Sequence, residues 1–253
     1  MHLPPLEEFL SALQTAILIG LCFRMWQAGL HRVYIYFFSY LLLVLFETPV
    51  LASVGYGTVA YGYVWMATEG LALCFYALIV LECYATVLRD LKGIATISRR
   101  YIEITLGIAI LAALLLLGLE RTPKTLFGYF YALDRAVVSS LLFFVLLMIA
   151  FLIYYPVPLN RNVITYSVGY AVYFLTKATA LFIRNTSHEW RPQISAILIG
   201  VSTSCLLFWM IGLTRDGETK TVVVGHKWDT GDEERLVSQL KAINANLIRA
   251  ARK

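Results

Sequence analysis

Charge is scarce in this chain. Asp, Glu, Lys and Arg together make up 15% of its 253 residues, where a soluble domain carries nearer a quarter. Histidine is scarcer still. His2, His31, His188 and His226 all fall outside the long apolar runs, so no haem or metal ion held by histidines is expected within them. Cysteine is limited to Cys22, Cys74, Cys83 and Cys205, each inside an apolar run and none in a connection. They read as small apolar packing residues rather than a disulfide framework. The apolar runs hold no Ser/His or Cys/His pair for nucleophilic catalysis, and the chain has no phosphate-cradling loop. An intramembrane aspartyl mechanism needs two aspartates, and the runs contain one, Asp134. We therefore expect no enzymatic activity, no metal and no resident cofactor. The opening MHLPPLEEFL lacks a basic stretch and carries Glu7 and Glu8, so a cleaved signal peptide is not expected.

What the chain has in abundance is apolar length. Hydrophobic residues make up 59% of it, in recurring runs of about twenty, the pattern of a polytopic membrane protein. The expected fold class is all-α, a seven-transmembrane-helix bundle. Its spans fall near 8–28, 34–54, 62–88, 101–120, 128–154, 162–184 and 193–214. Each is long enough for a hydrocarbon core of ~30 Å at ~1.5 Å per residue. Turn and charge signals mark the joints. Pro156 and Pro158 end the fifth span and Pro192 suits the start of the seventh.

Lys and Arg divide unevenly between the two ends of the bundle. Arg24, Arg32, Arg89, Lys92, Arg99, Arg100, Arg161 and Arg215 lie at one end, and Arg121, Lys124, Arg184 and Arg191 at the other. The positive-inside rule then puts the N-terminus outside and the C-terminus in the cytoplasm, in the plasma (inner) membrane. The net charge of +5 reflects these flanks. The lipid bilayer is the expected partner, and no nucleic acid is needed to explain the charge.

Residues 1–214 thus form the membrane domain and 215–253 a cytoplasmic tail. The tail holds a short β-prone TVVV and then an amphipathic helix over about 231–252. Thr230 and Glu233 have capping-box spacing, and Leu236, Leu240, Ile243 and Leu247 follow 4-3-4 spacing. That face rests on the membrane or the protein's own loops, or it docks a cytoplasmic protein partner or a second copy.

Besides Glu8, Arg24, Glu120 and Arg184 at or near span ends, the spans hold seven charged residues: Glu47, Glu69, Glu82, Glu103, Asp134, Arg135 and Lys177. Such groups are costly in lipid and face the interior. Glu103 sits at a span end, and Glu82 reads as structural, in reach of Arg89 or the interface. Counted from the appropriate span ends, Glu47, Glu69, Asp134, Arg135 and Lys177 all lie about 10 Å below the outer boundary. Asp134 and Arg135 are sequence neighbours about 100° apart on a helix and so face different helices. We expect a shared charge layer in which Arg135 and Lys177 pair with some of the three acids. One carboxyl is left over, to hold a proton or to receive a cation.

Tyr166, Tyr170, Tyr173 and Lys177 share one face of span 162–184, while Trp65, Glu69 and Tyr76 share a face of span 62–88. Tyr170 and Tyr173 join the five charges as candidate cavity-lining residues. Two readings stay open for the layer. It is a polar lock that fixes helix packing, or an outward-facing pocket for a ligand or solute. Ala196, Gly200 and Ser204 make a small-residue face suited to close helix contact, and Pro49 interrupts the amide ladder near Glu47.

The layout resembles rhodopsins and G-protein-coupled receptors, without their motifs. ISAILIGVSTSCLLFWMIGL holds no Schiff-base lysine, no Asp/Glu-Arg-Tyr closes the third span, and no Asn-Pro-x-x-Tyr closes the seventh. The single Pro192–Gln193 pair falls in a different helix from that of the PQ-loop transporters. YFFSYLLLVLFETPVLASV, YGYVWMATEGLALCFYALIVLECY and NVITYSVGYAVYF are similar in organisation to bacterial seven-span membrane proteins of no assigned activity. The functional expectation is a receptor-like or sensory module with a polar cavity in its outer half. The alternatives are a solute transporter or ion channel, and a structural subunit of a larger membrane complex.

Overall fold

The computed structural model describes residues 5–55, 58–88, 125–154, 157–186 and 191–224, with helical positions at 104, 107, 111, 238, 239, 242 and 244–246. Six long helices run through these residues: α1 (Pro5–Gln27), α2 (Ile35–Val54), α3 (Val59–Val87), α4 (Leu126–Tyr154), α5 (Arg161–Thr186) and α6 (Arg191–Gly212). The rest of the expected span at 101–120 lies outside the described residues. So do Leu236, Leu240, Ile243 and Leu247 of the tail helix.

Local chemistry sets several helix ends. The Thr58 hydroxyl accepts the Tyr61 amide at 3.1 Å to open α3, and the Thr125 hydroxyl accepts the Gly128 amide at 3.2 Å to open α4. Gly29 and Gly55, both at positive φ, turn the chain out of α1 and α2. The start of α2 is different, because Tyr34 at its cap position makes no side-chain cap bond. Glu82 on α3 supplies the cap instead. Its carboxylate accepts the Tyr36 amide at 3.0 Å, the Phe37 amide at 3.3 Å and the Tyr166 hydroxyl at 3.0 Å. A carboxylate at a helix N-terminus satisfies free amides and meets the positive end of the dipole. Glu82 is therefore structural, but its described partners are α2 and α5; Arg89 lies outside the described residues.

The six helices pack as a ring. Each touches the next in chain order, α6 closes against α1, and α3 also meets α5 inside. The interior is aromatic. Tyr170 lies 4.7 Å from Trp209 between ring centroids, Phe37 lies 5.0 Å from Trp209, and Tyr166 lies 5.1 Å from Tyr170. Pairs of this kind contribute roughly 0.5–1.5 kcal/mol beyond the area they bury.

Two strands extend the all-α expectation. β1 (Val157–Asn160) and β2 (Thr221–Val224) pair antiparallel, with Val157 opposite Val224 and Asn160 opposite Thr221. The β-prone TVVV thus pairs with the connection between α4 and α5. Pro158 is tolerated because a two-stranded sheet has only edge strands.

Five of the six helices, all but α5, are long and apolar enough to cross a bilayer. In their most apolar windows only 17% to 44% of residues are buried, and Phe9, Phe46, Phe143 and Ile211 point outward. A surface this apolar is solvated by lipid, and the chain is a multi-pass membrane protein. The expected span at 162–184 forms a helix of 26 residues, α5, but is less apolar than the others. Its inward face carries Tyr166, Tyr170 and Lys177, all buried within the ring.

The small-residue face of α6 does not serve close packing among the described residues. A Cβ on Gly200 would meet nothing within 4 Å, and Ser204 is exposed. The close approach occurs at Gly169 on α5, where a Cβ would lie 2.2 Å from Nε1 of the buried Trp209. Gly169→Ala is expected to cost about 2 kcal/mol or more through overpacking. Gly200→Ala, in open space within a helix, is expected to be neutral or to stabilise by up to ~1 kcal/mol. Thermal unfolding of the two variants in the same detergent checks the contrast.

Candidate functional site

Three helices meet at one lysine. Lys177 on α5 donates to Glu69 on α3, and its Nζ lies 3.3 Å from Asp134 Oδ1 on α4. Side-chain exposure is 7% for Lys177, 2% for Asp134 and 15% for Glu69, so Glu69 is the most accessible member. The ammonium also sits 4.6 Å from the Tyr76 ring centroid and 3.5 Å from the Tyr76 hydroxyl. A ring face and a hydroxyl are both suited to a partly desolvated cation. Trp65, one turn before Glu69, packs its ring 5.3 Å from Tyr131 and 5.6 Å from Phe130, closing the α3–α4 seam beside the triad.

A hydroxyl cluster continues from the triad. Tyr76 and Tyr173 lie 2.8 Å apart between hydroxyl oxygens, Tyr40 and Tyr76 3.2 Å, and Tyr40 and Tyr173 3.4 Å. The cluster joins α2 to the lysine, although α2 contributes no member of the triad.

The expected charge layer is thus assembled in part. Glu69, Asp134 and Lys177 converge. Glu47 stands one step away, accepting the Thr68 hydroxyl at 2.7 Å next to Glu69 in sequence. Arg135 is half-buried on α4. Tyr173 belongs to the hydroxyl cluster. Tyr170, expected to line a wet cavity, is enclosed in the aromatic core, and its hydroxyl has no hydrogen-bond partner among the described residues.

Sequence reasoning passed over two groups. Tyr40 sits seven residues before Glu47 on the same face of α2, a spacing that signals shared surroundings. The second group lies at the other end of α5. Asn162 is fully buried and donates to the Thr214 carbonyl and to the Glu218 carboxylate, both at 2.7 Å. Its own side-chain carbonyl accepts the Thr214 amide at 3.1 Å. Glu218 also accepts the Tyr34 hydroxyl at 2.7 Å, and the Arg161 amide donates to the Lys220 carbonyl at 3.0 Å. This clasp seats the beginning of the tail on α5, and β2 continues directly from it. An asparagine at the start of a span gave little warning of such a role.

No family model, curated protein or solved structure matches this chain. The likeness to bacterial seven-span proteins therefore rests on the quoted segments alone.

The triad ties three helices through charge, and this sets its energetics. Removing one partner leaves buried charge uncompensated, which costs roughly 3–5 kcal/mol, whereas replacing the whole set by neutral groups is often near neutral. Lys177→Met is expected to lower thermal stability sharply. Glu69→Gln/Asp134→Asn/Lys177→Met is expected to recover most of that loss. Unfolding curves for the single and triple variants check this, and a triple variant as unstable as the single one would contradict it.

Proposed function

We propose that the protein is a receptor-like, sensory membrane module in which the Lys177 triad receives the signal and the tail delivers it. In this reading the chain has seven spans, with α5 crossing as one of them, the N-terminus outside and the tail in the cytoplasm. It performs no catalysis. The leucine face of the tail helix, Leu236, Leu240, Ile243 and Leu247, is the surface that meets a cytoplasmic partner or a second copy.

One observation supports this reading above the rest. A single helix, α5, carries the triad lysine toward one end and the Asn162 clasp at the other. Arg161 and Lys177 are sixteen residues apart, about 24 Å along a helix. A helix of this length moves largely as a unit, so any shift or rotation set at the triad reaches the clasp. A ligand or ion that meets Glu69, the most exposed member, would favour one arrangement of α3, α4 and α5 over another. Such differential affinity is what a population shift requires. The formal charge of the triad is −1, one ammonium against two carboxylates, which suits a cationic ligand or a proton.

Hydrogen exchange in lipid nanodiscs tests the coupling. In Glu69→Gln/Asp134→Asn/Lys177→Met, the amides of Thr221–Val224 are expected to change protection by about tenfold or more, while the interior of α3 holds its protection. Unchanged exchange at Thr221–Val224, or a change shared equally by α3, would reduce the triad to a packing lock and overturn the sensory reading.

A further inference from the structure

We propose that the small cavity between α1, α2, α5 and α6 is a binding site for one internal water molecule, which extends the hydrogen-bond network of Lys177 to a polar pair on α1 and α6. The cavity has a volume of about 20 Å³. A cavity needs roughly 10–15 Å³ of this measure to admit a water, and the water needs two to four polar partners. The size suits one water.

The walls meet the second condition. Tyr40 and Tyr173 line the cavity and also belong to the hydroxyl cluster that touches Lys177 through Tyr76. Gln14 and Ser202 line it from α1 and α6, with Gln14 Nε2 donating to Ser202 Oγ at 3.1 Å. That bond leaves the Gln14 carbonyl as an acceptor and the Ser202 hydroxyl hydrogen as a donor. The two longer edges of the tyrosine cluster, 3.2 and 3.4 Å, both involve Tyr40, whose hydroxyl is the least well partnered of the three. Leu18, Leu41, Val44, Leu206 and Trp209 complete the walls. Genuinely dry cavities are apolar, and this one carries the polar groups of Gln14, Tyr40, Tyr173 and Ser202 on its otherwise apolar walls. A single water bridging Tyr40 or Tyr173 to Gln14 or Ser202 makes one hydrogen-bonded path from Lys177 to the α1–α6 seam.

Radiolytic hydroxyl-radical footprinting of the full chain in nanodiscs tests the site, because radicals generated from a bound water label the side chains it touches. The internal reference is Tyr166, a fully buried tyrosine that does not line the cavity. Tyr40 and Tyr173 are expected to be oxidised at least fivefold faster than Tyr166. Ser202→Leu, which fills the cavity, is expected to bring both rates down toward that of Tyr166. Gln14→Leu repeats the test from the opposite wall, and serves alone if Ser202→Leu does not fold. Wild-type rates equal to that of Tyr166, or rates that neither substitution lowers, would overturn the site. The readout does not involve the tail, so its result stands apart from that of the exchange experiment.

Discussion

A buried ammonium must be compensated where it lies, and Lys177 sets that requirement for this bundle. At 7% side-chain exposure it has little access to water. A lysine without a partner at that depth would lose its proton or withdraw from the interior. Compensation comes from Glu69 on α3 and Asp134 on α4, so meeting the need of one residue fixes the relative positions of three helices. Apolar packing alone discriminates weakly among such arrangements, because lipid chains are as apolar as the side chains between the helices. The charged contact has few equivalents if a helix slides or rotates, so it favours one register.

The same logic extends along α5. From Asn162 to Lys177 the inward face of this helix is polar at both ends and aromatic between them. At one end the Asn162 amide holds Thr214 and Glu218, and at the other the lysine holds two carboxylates. Tyr166, Tyr170 and Phe174 fill the middle against Phe37, Tyr76 and Trp209. A helix packed on both flanks and fastened at both ends relates its two ends rigidly. This is why the site and the tail joint are best considered together. The isolated two-stranded pairing of β1 and β2 would be marginal alone, and its anchorage is the clasp on α5.

Much of this was legible in the sequence, for identifiable reasons. Apolar length located the six described helices, five of which are long and apolar enough to cross a bilayer. Counting depth from the correct span ends placed Glu69, Asp134 and Lys177 at one level, and depth is the coordinate that sequence fixes best in a membrane helix. Azimuth is less well fixed. Arg135 shares the depth of the triad but stands about 100° round the helix from its neighbour, so depth alone does not say which helix it meets. Contacts between helix ends and distant segments were harder still. Nothing local to Tyr34 or Ile35 shows that Glu82, far along α3, will cap α2, and nothing near Asn162 shows that Glu218 will come back to it. Those pairings depend on how the ring closes, which is a property of the whole bundle. The hydropathy of α5 carried information in the opposite sense. Its polarity weakens it as a span by composition, yet that polarity is what the other helices surround.

The choice between a lock and a responsive site then turns on the accessibility of the compensating acids. A lock is best served by three members buried to the same degree. Here Asp134 is nearly inaccessible while Glu69 is partly open. The lysine is thus held by one carboxylate that the bundle covers fully and one that it covers less. In the sensory reading proposed above, a proton or cation at Glu69 would compete with Lys177 for it, and the lysine would lean further on Asp134 and Tyr76. Since Asp134 belongs to α4 and Glu69 to α3, that exchange of partners alters the balance of forces between two helices acting on α5. A switch requires two arrangements of contacts, and in that reading the unequal cover of the two carboxylates is what would separate them.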